Sequence, residues 1–295
     1  MPITISAIWT LMRQTVLSWL DDYAPSMGAA LAFYTLFSLA PLMLIVVSVG
    51  GMVFGEDAAR GEIASQLAIL MGSGGALAVQ DLLASVRQPQ QGSLATALGL
   101  TLLLLGATTV FAELQNALDR IWRAPASWSG GTWLTLVRAR LLSFGMILAI
   151  GFLLLVSLVF SAVLALLGRW IEPVFGAWYA LAALSNALAA FAMITAMFAL
   201  IYKVMPRVRV QWRDVWTGAL FTAMLFSFGR FLIGLYIGRS GVVTGFGAAG
   251  SLVVILLWVY YSAQIFLLGA EFTWVYANVF GSRRREPEHC DFPAV

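Results

Sequence analysis

Of the chain's 295 residues, 61% are apolar (AVILMFWYC) and 11% charged, against roughly 45–50% apolar (glycine included) and roughly 25% charged in soluble domains. A water-soluble domain cannot hide that much apolar surface, so lipid must cover much of the chain, and the mean hydropathy of +0.90 agrees. The net charge of +3 comes from only 17 basic residues with no aromatic-interleaved basic stripe, which excludes a nucleic-acid-binding surface.

Residues 4–20 carry Ile5, Ile8, Trp9, Met12, Val16, Trp19 and Leu20 at helical spacing, with Ser6, Thr10, Arg13, Gln14 and Ser18 on the other side. This pattern predicts an N-terminal amphipathic helix lying in the membrane interface, because its polar face would be unsatisfied in hydrocarbon. The lead-in extends over 1–28, with no cleavable leader: the first apolar run is longer than a signal-peptide core and is expected to act as an uncleaved insertion signal.

Six apolar segments follow, at 29–54, 94–114, 139–167, 178–202, 215–237 and 248–276. Each reaches the ~20 residues that cross ~30 Å at 1.5 Å per residue. The expected fold is all-α, a polytopic bundle of six transmembrane helices within 29–276. Between spans one and two, the loop 55–93 is expected to be helical and on the outer side. Ile63, Leu67, Leu70 and Met71 make one apolar face, Val79, Leu82, Leu83 and Val86 a second, and Gly72, Gly74 and Gly75 break the chain between them. It can pack on the bundle as a hairpin or cover a cavity as a lid. A polar tail occupies 277–295.

Topology follows from charge. With the N-terminus inside, Arg13, Arg120, Arg123, Arg138, Arg140, Lys203, Arg207, Arg209, Arg213 and Arg283 to Arg285 are internal, whereas Arg60, Arg87, Arg169 and Arg239 are external. That bias places the chain in a bacterial-type cytoplasmic membrane with both termini cytoplasmic.

Polar groups inside spans are costly and are the functional candidates. Thr109, Glu113, Asn116 and Arg120 share one face of span two; Tyr260, Gln264, Leu267 and Glu271 share one face of span six. Two readings stand for Glu113 and Glu271. They pair with arginines such as Arg120, Arg140 or Arg213 and pin helix ends together, or they line a cavity that binds a cation, proton or head group. Arg230 lies about 10 Å from the outer end of span five, level with Asn186 on span four, and an Arg230–Asn186 neighbourhood is expected. Pro41 falls in the middle of span one and should kink it, freeing the carbonyl of Phe37 near Tyr34 and Ser38. Gly234 and Gly238 form a GxxxG that predicts close helix packing. No pattern marks a catalytic residue or a cofactor site. Cys290 beside the sole histidine, His289, supplies too few ligands for a metal.

Three stretches carry a family resemblance: GAALAFYTLFSLAP at 28–41, LQNALDRIW at 114–122, and the run from PRVRVQWRDVWTGAL at 206–220 to GFGAAGSLVVILLWVYYSAQIFLLGAE at 245–271. Together they resemble the YihY/BrkB family of bacterial inner-membrane proteins over about residues 10–280, with Asp119 and Phe246 where Asn and Tyr are more usual. The resemblance implies six spans and carries over no catalytic residue. Members have borne the labels of a tRNA-processing ribonuclease, which no site here supports, and of a virulence factor. Some relatives are tied to export of lipid or lipopolysaccharide precursor, which implies membrane lipids as partners and a lipid or small-molecule substrate. A transporter or lipid-translocating protein is therefore the leading expectation, and a non-transporting envelope-assembly scaffold the alternative.

Overall fold

The computed structural model describes residues 5–55, 109–125, 178–239 and 250–283, with isolated positions at 61, 77 and 80. The expected outer helical loop, span three, most of span two and the end of the tail lie outside the described residues. Within them every element is helical: α1 (Ile5–Asp21) and α2 (Ala24–Phe54), α3 (109–121), α4 (Trp178–Val204), α5 (Trp212–Arg239) and α6 (Gly250–Val279).

Three of these helices are long and apolar enough to cross a membrane: Ala187–Val204 in α4, Trp212–Tyr236 in α5 and Leu252–Val279 in α6. The expected first span falls within α2. That helix begins at Ala24, so the last residues of the expected lead-in already belong to it.

Among the described helices α6 is the hub, packing against α5, α2 and α1, while α5 also packs against α4. The α5–α6 contact is close because small residues face larger ones. A Cβ at Gly218 would overlap the Thr273 side chain, and one at Gly269 would overlap Thr222. Aromatic rings add to the contact, with Phe221 and Phe272 stacked at 4.0 Å. Tyr202 of α4 reaches into the same contact and donates to the Phe266 carbonyl at 2.7 Å. Gly234, predicted to pack closely, is exposed, and an added Cβ there meets nothing among the described residues.

The packing of α1 adds a buried line that the amphipathic pattern does not mark. Its buried line is Leu11 and Thr15, continued by Asp22, with Leu11 packed on Phe272 and Val275 of α6. Ile8, Trp9, Val16 and Leu20 of the expected apolar stripe are exposed, while Met12 and Trp19 are half-buried. Thr15 tolerates burial because its hydroxyl donates to the Leu11 carbonyl at 2.9 Å. An apolar stripe turned away from the protein needs no protein partner where lipid is the solvent.

Candidate functional site

The turns at one end of the bundle bring the site together. After α1 the chain turns within two residues: the Tyr23 N–H donates to the Leu20 carbonyl at 3.0 Å, and Tyr23 adopts a left-handed conformation with φ 56°. Helix α3 ends in the same manner. The Ala124 N–H reaches the Asp119 carbonyl at 2.8 Å, and Arg123 has φ 52°. Such caps usually carry glycine, because a side chain at positive φ is strained. Pro125 then prevents the helix from continuing. Of the two left-handed residues, the only non-glycine ones described, Arg123 belongs to one ion pair and Tyr23 adjoins its partner.

That pair is Arg123 with Asp22, Nη1 to Oδ1 at 2.9 Å, with the Arg120 Nε 3.9 Å from the same oxygen. The Asp22 side chain is 4% exposed, while those of Arg120 and Arg123 are 49% and 52% exposed. The acid is therefore inside and the guanidinium groups reach outward. Aromatic faces hold them there: Arg120 lies over Tyr23 and Arg123 over Trp274, at 5.4 and 5.3 Å from the ring centroids.

Glu271, three residues before Trp274, is fully buried. Its carboxyl lies within hydrogen-bonding range of Asp22 and within electrostatic range of Arg123 and Asp21. Two carboxylates offer each other acceptors and no donor. Among the described residues both Glu271 oxygens and Asp22 Oδ2 accordingly lack a hydrogen-bond partner.

Two turns along α6, Gln264 faces α2. Its Nε2 donates to the Pro25 carbonyl at 3.4 Å, and Gly28 makes the room, since a Cβ there would overlap that amide. The Gln264 Oε1 is buried and has no hydrogen-bond partner among the described residues. A groove of about 290 Å³ lies between α1 and α6, with Gln14, Leu17, Ser18, Asp21, Trp274 and Val275 in its wall.

Further ties hold this end together. Asp119 accepts from the Arg207 backbone N–H at 2.8 Å and meets its guanidinium at 3.4 Å. Burial pushes the Asp119 carboxyl above its usual range, and the bonds from Arg207 oppose that shift. Asp214, at the start of α5, accepts from both the backbone N–H and the hydroxyl of Ser282, just beyond α6. Arg283 donates to the Arg209 carbonyl at 3.0 Å and lies over Trp122.

Of the sequence-derived candidates, Glu271 and Gln264 belong to this junction. Tyr260 is half-buried one helical turn before Gln264 on the same face of α6. Glu113 is half-buried and Asn116 exposed on α3, and Tyr34 is half-buried on α2 with its ring edge-on to Phe33. Arg230 is half-buried on α5. Helix α2 runs through Pro41 and α4 through Asn186, but their side chains, like Arg140, lie outside the described residues. The expected Arg230–Asn186 neighbourhood therefore lies there too. Among the described residues Arg120 and Arg123 converge on Asp22, and Arg213 is exposed. Asp22 was missed because it sits in a two-residue turn outside every apolar segment. The signal available was an Asp-Asp pair immediately before a span.

A family model described as virulence factor BrkB matches residues 15–291. A UPF0761 membrane protein of Pseudomonas paraeruginosa is 29% identical over 258 residues, covering 85% of this chain and 59% of that protein. One of Azotobacter vinelandii is 30% identical over 275 residues, covering 90% and 62%. The chain thus spans about three fifths of the length of these curated relatives. No solved structure matches it.

Proposed function

Because the chain belongs to the virulence factor BrkB family of membrane proteins, we propose that it is a six-span protein of the bacterial cytoplasmic membrane, with cytoplasmic termini, that moves a lipid or small molecule. The observation that carries this reading is Glu271. It is a fully buried carboxyl within the Leu252–Val279 candidate span, and neither oxygen has a hydrogen-bond partner among the described residues. Helix glue is better served by satisfied groups, because an unpartnered buried carboxyl costs stability. An ionisable group kept in a span at that cost is by default a functional one. The half-exposed Arg120 and Arg123 beside it suit the anionic head group of a membrane lipid.

The reading is tested with the purified chain in vesicles of phosphatidylethanolamine and phosphatidylglycerol, following the flip of a fluorescent-tailed phosphatidylglycerol. Wild type is expected to accelerate flipping and Glu271→Gln to lose most of that acceleration at equal protein content. Unchanged activity per molecule in Glu271→Gln sinks it.

A non-transporting scaffold for envelope assembly is the second reading, favoured by the ties Asp22–Arg123, Asp119–Arg207 and Asp214–Ser282 that lock this end of the bundle. It requires that the vesicle assay show no flipping by wild type.

A further inference from the structure

We propose that Asp22 and Glu271 together bind one exchangeable proton, held between the α1–α2 turn and α6. The ligand class follows from atom counting. Three oxygens at this junction, both of Glu271 and Oδ2 of Asp22, have no partner among the described residues, and both residues are more than nine-tenths buried, at 0% and 3% exposure. The two carboxyls face each other. A single proton on Glu271 turns an acceptor into a donor and satisfies the facing Asp22 oxygen in the same bond. Asp22 Oδ1 is already taken by Arg123 at 2.9 Å, so the shared proton falls on the unengaged side.

The charges around the pair make one proton the natural occupancy. From the end of α1 and the turn after it come Asp21 and Asp22, and from the turn after α3 comes Arg123, with Arg120 3.9 Å from Asp22. From α5 the neighbours along α6 are neutral, Gly218 and Thr222, while Asp214 is engaged by Ser282. From α4, Tyr202 spends its hydroxyl on the Phe266 carbonyl. With the proton bound, Asp22 and Arg123 form a neutral pair beside a neutral acid. On release, two carboxylates share the Arg123 guanidinium, and the proton passes to water. The groove between α1 and α6 supplies the route, since Asp21 and Trp274 in its wall are the immediate neighbours of Asp22 and of the Arg123 guanidinium. Proton release removes the bond between the turn and α6 and leaves repulsion in its place, so occupancy is coupled to how tightly α1 and α2 are held on α6.

The proton names a coupling ion for the transport reading, and rests on that reading for its use but not for its detection. The test is infrared difference spectroscopy on the purified full chain in lipid particles, titrated across the pH range in which it stays folded. The expected result is a carbonyl stretch of a protonated carboxylic acid that shifts in deuterated water and disappears at the alkaline end. It is lost in Glu271→Gln, and its frequency shifts in Asp22→Asn, whose amide replaces the carboxylate as partner. Absence of a titrating band in wild type, or a band surviving at full intensity in Glu271→Gln, overturns the proposal. Should Glu271→Gln not fold, an unshifted band in Asp22→Asn overturns it equally. A band that behaves as expected in a protein that flips no lipid leaves the proton site standing and defeats the transport reading. Flipping without the band does the reverse.

Discussion

Arg123 and Asp22, 101 residues apart in the chain, meet at 2.9 Å across the ends of α3 and α1. Their contact joins a segment after one apolar run to a turn before another, and it holds Arg123 at a backbone angle that an arginine rarely adopts. Arg123→Ala leaves Asp22 and Glu271 facing each other in a buried place without their nearest cation. A loss of about 1.5–3 kcal/mol is expected, the range for a charged hydrogen bond, read as a lowered unfolding temperature in detergent. Arg120→Ala, whose Nε stands 3.9 Å from Asp22, should cost clearly less. Equal effects would show that the 2.9 Å contact has no special weight.

The charge that Arg123→Ala strands on Asp22 gives a second expectation. Asp22→Asn combined with Arg123→Gln removes both members of the ion pair and the like charge facing Glu271. The double variant should recover part of the stability lost in Arg123→Ala, because replacing both partners avoids stranding a buried charge. A double variant less stable than Arg123→Ala refutes that account.

The close approach of α5 and α6 predicts a contrast among glycines. Gly218→Ala and Gly269→Ala each drive a methyl into a threonine side chain on the facing helix and should destabilise by about 1–3 kcal/mol, the usual cost of overpacking. Gly234→Ala lies on the same α5 but meets nothing among the described residues. It should be neutral or stabilise by up to about 1 kcal/mol through helix propensity. Thermal unfolding of the three variants side by side checks the order.

Tyr202→Phe removes one hydroxyl that bonds to the Phe266 carbonyl and stands 3.1 Å from the Thr222 hydroxyl. The ring remains in place among Phe198 and Phe266, so the loss should be confined to about 1 kcal/mol. A much larger loss would mean that the hydroxyl organises the α4–α6 contact rather than adding to it.

Asp214→Ala strips the acceptor that holds the Ser282 backbone N–H and hydroxyl. The chain beyond α6 should then fray, and limited proteolysis after Val279 should accelerate while the helices stay protected. Unchanged cleavage would place the anchoring elsewhere.

What the sequence determined by itself was the solvent and the class of fold. Composition requires lipid, segment length requires helices, and the stretches from Gly28, Leu114 and Pro206 carry the family. The face of α6 bearing Gln264 and Glu271 was also legible, because helical spacing alone puts residues seven apart on one side. Only the tertiary structure decided what that face meets. Asp22 and Arg123 carry no periodic signal: each sits in a short turn, and each becomes part of a site because two caps more than a hundred residues apart close at one level of the bundle. The rotation of α1 was hidden for a related reason. An apolar stripe states that a face avoids water, and in a membrane both lipid and protein satisfy it. The choice fell to packing, where Leu11 fits against Phe272 and Val275 and the stripe itself was left to face outward.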